Sequence, residues 1–419
     1  MKLSMGIALM LFSVFTMGWQ TIVLYGKEKI SDFLSNPFRQ SRVPLFILDA
    51  QHPWILQNQG KLERLPDAES FLCSLSQVSA RDLSENGLDV PPDLFEYLDI
   101  NDNRKGVDRP SWPNAALRLQ EIHRCPAALS QVKTFSTVIL ADGGQYSDLK
   151  KGILEPQQPP TEVLGLFADV LGNMTNLETL KWDIPRSDIP YFEEHFGERG
   201  LILPSVKRLE PGSMSPFLVR MCPNITILEK SYSDAPEALL QAAMFAPNLT
   251  RFATSVRHGW DISLIQDLVS VYLPSIESLG LWGGLSTEYK YSSRESLRES
   301  ALTETLQLLQ SLKNLTHLDL PEASSLDVGW DGGPWCGNVF MGPGGRENRR
   351  MVRRDAAKAV DRAAALVVEF LPHLTGLSIG NTQANLTKYE NGTVRASFPW
   401  TGRINEWVLE ALPLKPGEE

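Results

Sequence analysis

One short pattern of apolar residues recurs along most of the chain. In its clearest copy Leu177, Leu180 and Trp182 are apolar, and polar residues lie between them. Related copies begin at Val132, Val206, Ile225, Leu249, Ile276, Leu315 and Leu374. Side chains alternate along a β-strand, so the last two apolar residues of each copy point to the same side. Each copy therefore predicts a short strand with one buried side.

Amphipathic segments separate these copies. Apolar residues three and four apart predict helices over residues 161–172, 235–245, 262–272, 302–312 and 349–371. Alternating strands and helices indicate parallel strands joined by right-handed crossovers. The predicted fold class is α/β, an irregular leucine-rich-repeat-like solenoid with parallel strands. The alternative, a doubly wound domain, requires long β-branched strands, of which the chain has few.

The first third of the chain lacks the repeated pattern. Segments 68–78 and 114–122 have helical periodicity there, which predicts a small helical region that shields the open end of the solenoid. The predicted organisation is a signal peptide or signal-anchor at 1–26, a helical N-terminal cap region at 27–131, the solenoid at 132–413 and a tail at 414–419.

The N-terminus has the composition of an export segment. Lys2 is followed by an uncharged, largely apolar run over residues 3–26. A basic start and an apolar stretch are typical of a secretory signal. The run also reaches the ~20 residues that a membrane helix needs, so membrane anchoring through residues 3–26 is the alternative. The predicted location is the secretory pathway or the extracellular space, and the alternatives are membrane-anchored or cytoplasmic.

Potential glycosylation sites agree with export. Six asparagines begin N-x-T sequons: Asn173, Asn224, Asn248, Asn314, Asn385 and Asn391. Several of them also lie in the repeated pattern, where an asparagine can bind turn backbone. The four cysteines show no metal-ligand spacing, and both disulfides and buried thiols stay open for Cys73, Cys125, Cys222 and Cys336.

Charge and missing motifs narrow the function. The net charge is −10 and the isoelectric point about 5.3, which disfavours nucleic acid as a partner. The arginine-rich run 346–354 is interpreted as a solvated helix face. The chain contains no H-E-x-x-H, G-x-S-x-G or phosphate-loop motif. We therefore predict no catalytic residue, no metal and no cofactor, and a partner that is an unknown protein.

Two surfaces are candidates for binding that partner. The polar residues between the apolar strand positions should be exposed on the concave strand face: Glu178, Lys181, Arg251, Glu277, His317 and Asp319. A glycine-rich loop carries a second candidate, the aromatic residues Trp330, Trp335 and Phe340. The alternative for this loop is that it folds over the last repeats as a lid.

The chain resembles a known group of repeat proteins. Its unevenly spaced phrases and the ending from Phe398 to Trp407 are similar to fungal leucine-rich-repeat proteins of the F-box-like, ribonuclease-inhibitor-like kind. The resemblance covers roughly residues 115–413, and it implies a substrate adaptor in protein turnover. Such proteins begin with an F-box helix cluster, whereas this chain begins with an export-type segment and lacks a clear F-box.

The sequence therefore predicts a non-catalytic protein-binding solenoid, in the secretory pathway or secreted. One alternative is a cytosolic F-box-like substrate adaptor in protein turnover. The other is a secreted hydrolase of an unrecognised type, because a missing motif is weak evidence against catalysis.

Overall fold

The computed structural model divides the chain into two units, Met1–Pro91 and Pro92–Glu419. It describes Gln57 and residues 95–101, 112–123, 126–139, 158–212, 215–233, 236–256, 259–285, 298–330, 332–334, 337–341 and 344–414. The predicted segment 1–26 and the predicted helix 68–78 lie outside these residues. Among the described helices, none has the length and apolar character required to cross a bilayer.

A ten-stranded sheet organises the second unit. Its strands are β1 Tyr97–Asn101, β2 Thr134–Val138, β3 Thr179–Asp183, β4 Arg208–Pro211, β5 Ile227–Ser233, β6 Arg251–Val256, β7 Ser278–Trp282, β8 His317–Leu320, β9 Gly376–Ile379 and β10 Thr382–Gln383. They follow one another in chain order across the sheet. Strands β1–β9 are parallel, and β10 is antiparallel to β9. The predicted α/β class with parallel strands is confirmed.

Helices connect most of these strands. They are α1 Trp112–His123, α2 Pro126–Leu129, α3 Thr161–Asn173, α4 Ile189–Glu198, α5 Phe217–Met221, α6 Pro236–Ala243, α7 Ile262–Asp267 with a π-helical turn Leu268–Tyr272, α8 Arg298–Leu309, α9 Gly345–Phe370 and α10 Ile404–Ala411. When parallel strands follow one another in order, right-handed crossovers put their helices on the same side of the sheet. The buried residues of the helices accordingly share one core cluster with the strands.

The strand register aligns the repeated pattern residue by residue. We number strand positions 1 to 5 along β3, from Thr179 to Asp183. Position 2 is buried in all nine parallel strands, and its residues are Leu98, Phe135, Leu180, Leu209, Leu228, Phe252, Leu279, Leu318 and Leu377. Position 4 faces the same core, because side chains alternate. Positions 1, 3 and 5 point to the other side, which we call the open strand face.

An aromatic cluster fills the core beneath β3. Phe192 of α4 lies 5.3–5.5 Å, between ring centroids, from Trp112, Phe167, Trp182 and Phe196. Most of these pairs meet edge to face, which is a favoured geometry for aromatic rings. The cluster joins α1, α3, α4 and β3 into one packed unit.

The sheet begins earlier than the repeated pattern indicated. Strand β1 lies within residues 27–131, where we predicted only helices, and it pairs with β2. Its apolar residues Leu98 and Ile100 are separated by the polar Asp99, but a strand of five residues is too short to give a strong periodic signal. The helix predicted at 114–122 is present as α1.

The arginine-rich run does not form the solvated face that we expected. Arg350 is buried and donates hydrogen bonds to the carbonyl oxygens of Leu412 and Pro413 at 3.0 and 3.1 Å. The guanidinium of Arg353 lies 4.1 Å from the Trp407 ring centroid. These arginines fasten the C-terminal segment to α9. A hairpin of β11 Asn385–Lys388 and β12 Val394–Ser397 precedes that segment and also contacts α9.

Candidate binding site on the open strand face

The open strand face is polar over the middle of the sheet. Position 3 carries Lys181, Glu210, Glu229 and Asp319 in β3, β4, β5 and β8. Position 1 carries Arg208, Arg251 and His317 in β4, β6 and β8. Parallel sheets are normally covered on both sides by apolar packing. The charged side chains here indicate a side that is not built into a core.

Three of the six predicted face residues meet in one ion-pair network. Lys181 Nζ lies 3.3 Å from Glu210 Oε2, and Arg251 Nη2 lies 3.4 Å from Asp319 Oδ2. The other three are exposed: Glu178 and Glu277 immediately precede β3 and β7, and His317 is the first residue of β8. The structure therefore places four of the six on strands and brings only Lys181, Arg251 and Asp319 into the network.

Three residues that we did not single out, Arg208, Glu210 and Glu229, link the network together. Arg208 Nε is 2.9 Å from Glu210 Oε1, and Arg208 Nη2 is 2.5 Å from Glu229 Oε2. The second oxygen of Glu229 is 2.5 Å from Arg251 Nε. A continuous chain of charge-assisted contacts thus runs from β3 to β8. The Glu229 side chain is only 9% exposed, so water screens its contacts least.

Small residues let this chain cross β7. Arg251 belongs to β6 and Asp319 to β8, so their contact spans two strand spacings, or about 10 Å. Position 3 is Ala253 in β6 and Gly280 in β7. A Cβ atom on Gly280 would lie 2.5 Å from the Cβ of Ala253. Because neither position carries a large side chain, the Arg251 side chain can extend across β7 to Asp319.

A cavity of about 490 Å³ opens at the carboxyl ends of β2–β5. Its lining includes Asp183, Lys230, Gly212 and Thr137, with Trp282 of β7. Lys230 is 8% exposed and donates a 3.1 Å hydrogen bond to the Pro211 carbonyl. Burial raises the pKa of the Asp183 carboxyl, and the charge of Lys230 opposes that rise. The cavity thus combines charged groups of both signs with an indole.

The sequence contained a signal for part of what we missed. Glu210 and Glu229 occupy the same spacer position as Lys181 and Asp319. In β4 and β5, position 4 is occupied by Pro211 and Lys230 and not by a typical apolar core residue. The apolar pattern that we traced in the sequence therefore stopped at Leu209 and Leu228 and did not include the glutamates that follow them. Alignment on the buried leucine alone would have included both glutamates.

The structure places the aromatic loop against α9. Trp330 is partly buried, packs on the hydrophobic core and lines a second cavity with Asp355, Asp361 and Arg362. Phe340 is also partly buried, and its carbonyl accepts a 2.7 Å hydrogen bond from Arg349 Nη2. Trp335 lies outside the described residues.

The sequon asparagines differ in their surroundings. Asn224 Nδ2 donates to Pro204 O at 2.9 Å, and Asn173 Nδ2 donates to Asp169 O at 2.7 Å. Asn391 instead accepts hydrogen bonds from Thr393. Asn224 is half-buried, whereas the other five sequon asparagines are exposed: Asn173, Asn248, Asn314, Asn385 and Asn391. Asn224 therefore binds backbone in a turn, as we predicted for an asparagine in the repeated pattern.

Cysteine and metal chemistry add little to this picture. Cys222 is a buried free thiol, and desolvation raises its pKa to about 12, which makes it a poor nucleophile. Cys73, Cys125 and Cys336 lie outside the described residues. Within the described segments, no three His, Cys, Asp or Glu side chains are grouped to hold a metal ion. No protein-family model and no curated protein matches the chain.

Proposed function

We propose that this chain is an irregular leucine-rich-repeat-type solenoid that binds a partner protein through its open strand face and has no catalytic activity of its own. We place it in the secretory pathway or outside the cell, on the strength of its export-type N-terminus. The observation that carries the binding proposal is the ion-pair network from Lys181 to Asp319 on a side of the sheet that is not packed as core.

The network supports binding because it holds polar side chains in place. A free lysine or arginine side chain loses rotamer entropy when a partner immobilises it, at a cost of about 0.5–1.5 kcal/mol. Arg208 and Arg251 each contact two carboxylates before any partner arrives. Isolated exposed ion pairs contribute little to stability, which leaves preorganisation as the better explanation for a run of five.

The dimensions of the face also fit a protein partner. Nine parallel strands spaced at about 4.8 Å extend over roughly 40 Å, and strands of about five residues are roughly 16 Å long. Such an area is on the scale of the ~800 Å² that one partner contributes to a standard interface. Consecutive, repeated units are the usual way to build an extended surface of this kind.

The partner test compares variants of the face. The tagged full chain is purified from its native compartment as wild type, as His317→Glu and as Lys313→Glu. His317 is exposed on β8, and Lys313 is exposed in the turn before that strand. We expect a protein that the wild type and Lys313→Glu retain equally and that His317→Glu loses at least fivefold by quantitative mass spectrometry. Equal recovery by all three would contradict binding through this face.

Glycosylation tests the proposed location. Expressed with its own N-terminus in a eukaryotic cell, the chain should shift on a gel after endoglycosidase treatment. Asn248→Gln, Asn314→Gln and Asn385→Gln should each remove one glycan, because these side chains are exposed. Asn224→Gln should remove none, because its Nδ2 is bound to Pro204. An unshifted band would exclude the lumenal location and favour the cytosolic adaptor.

A further inference from the structure

We propose that the cavity at the carboxyl ends of β2–β5 receives one arginine or lysine side chain of the partner protein, with the Asp183 carboxylate as its counter-charge and Trp282 as its aromatic wall. This inference rests on the proposed function and specifies one group that the partner must present, a basic side chain.

The charged groups around the cavity differ in whether they already have a hydrogen-bond partner. Its cations are already occupied: Lys181 and Arg208 contact Glu210, and Lys230 donates to the Pro211 carbonyl. Among the described residues none donates a hydrogen bond to the carboxylate of Asp183, on which Lys230 acts only through its charge. A ligand that meets this site therefore finds an acceptor to satisfy, whereas an anion would have to displace existing ion pairs. The site favours a cation.

Asp183 lies against a glycine at the cavity wall. It lies at position 5 of β3, next to Val138 of β2, and its carboxylate packs against Gly212. A Cβ atom on Gly212 would lie 2.8 Å from Asp183 Oδ1 and 2.5 Å from the Trp182 carbonyl oxygen. Any larger residue would push the carboxylate away. Glycine at position 212 therefore leaves the space that the Asp183 carboxylate occupies at the cavity wall.

The indole of Trp282 gives the cavity an aromatic component. This side chain reaches the cavity from β7, and its Nε1 lies beside Gly280, where a Cβ atom would be 3.2 Å away. An aromatic face attracts a cation, and the planar guanidinium of arginine stacks on it well. The acceptor near this indole is the Asp183 carboxylate, which also lines the cavity. Guanidinium and ammonium groups bring five and three donors respectively to such acceptors.

The overall charge of the chain agrees with this choice. A net charge of −10 attracts basic partners over the distances at which proteins first meet. A volume of about 490 Å³ also accommodates a long side chain with ordered water. We therefore favour a basic protein segment over a small amine as the occupant.

The test uses a phage-displayed library of random 12-residue peptides selected on the immobilised full chain. We expect lysine or arginine to be enriched at one fixed position. The best peptide should bind Asp183→Asn about tenfold more weakly than wild type, because a charge-assisted contact is lost. Replacing its basic residue with glutamine should weaken binding to wild type by the same factor and should not weaken binding to Asp183→Asn further.

Two further variants distinguish the loss of the Asp183 contact from a loss of the folded structure. Asp267→Asn removes the same charge from an exposed site on α7 and should bind like wild type. Trp282→Leu should weaken arginine peptides several-fold while keeping the dependence on Asp183. Asp183→Asn itself should melt no lower than wild type, since burial disfavours its charged form.

Three results would overturn the proposal. Peptides that lose binding to His317→Glu but show no dependence on Asp183 would refute the cation pocket and leave the binding face intact. If no selected peptide responds to His317→Glu or Asp183→Asn, both the pocket and the proposed face fail. Asp183-dependent binding of spermidine without any selected peptide would make the ligand a small amine instead.

Discussion

Phe192→Ala is expected to lower the free energy of unfolding by about 3–5 kcal/mol. The side chain is fully buried and contacts the rings of Trp112, Phe167, Trp182 and Phe196. Truncation removes the transfer energy of the ring and leaves a cavity among rigid neighbours that cannot close around it. Urea unfolding followed by tryptophan fluorescence measures the effect, because Trp112 and Trp182 line the cavity.

Phe245→Ala is the matched control for this prediction. Phe245 is 50% exposed after α6, and the guanidinium of Arg220 lies 4.5 Å from its ring centroid. Its loss should cost about 1 kcal/mol or less, because an exposed cation–π contact contributes about 0.5–1 kcal/mol. Equal losses for the two phenylalanines would show that the aromatic cluster does not organise the core.

Glu229→Gln is expected to destabilise the fold by about 2 kcal/mol. Each carboxylate oxygen of Glu229 accepts a hydrogen bond from a different arginine, Arg208 or Arg251. The amide of glutamine keeps one acceptor but turns an N–H₂ group toward the other guanidinium. The half-exposed arginines can still be hydrated, so the cost stays below that of breaking a fully buried ion pair.

The measurement is the urea midpoint at pH 7, with Glu178→Gln as the control. Glu178 is exposed at the start of β3 and lies outside the network, so its change should stay within about 0.5 kcal/mol. A Glu229→Gln variant as stable as Glu178→Gln would mean that the network is too loose to hold the face in order. The face would then not be preorganised, and the binding proposal would lose its main support.

Local sequence was sufficient to predict strands β2–β9 and most of the described helices. Leu180, Leu279 and Leu318 were placed at equivalent positions from spacing alone, and the structure aligns them in one sheet. Helix α3 agrees with the predicted range to within one residue at its C-terminus. These successes share one cause: a periodic apolar stripe is a local property that needs no knowledge of its partner elements.

Elements without such a stripe were missed. Strand β1 has only five residues, and the hairpin of β11 and β12 is mostly exposed, so neither shows a strong alternation. The arginines of α9 appeared to be a solvated face because their partners, such as Leu412, follow some sixty residues later in the chain. Composition indicates that a helix is basic, but it does not indicate which backbone carbonyls that helix will meet.

The sequence by itself determined which side of each strand is buried, since alternating polarity selects a face before any strand finds its neighbour. Only the tertiary structure decided which charges meet. Arg251 and Asp319 are 68 residues apart, and they touch because β6, β7 and β8 stack in register with small side chains between them. The placement of Asp183 beside Gly212 and near Trp282 has the same origin, because register across strands joins residues that irregular repeat lengths keep far apart in sequence.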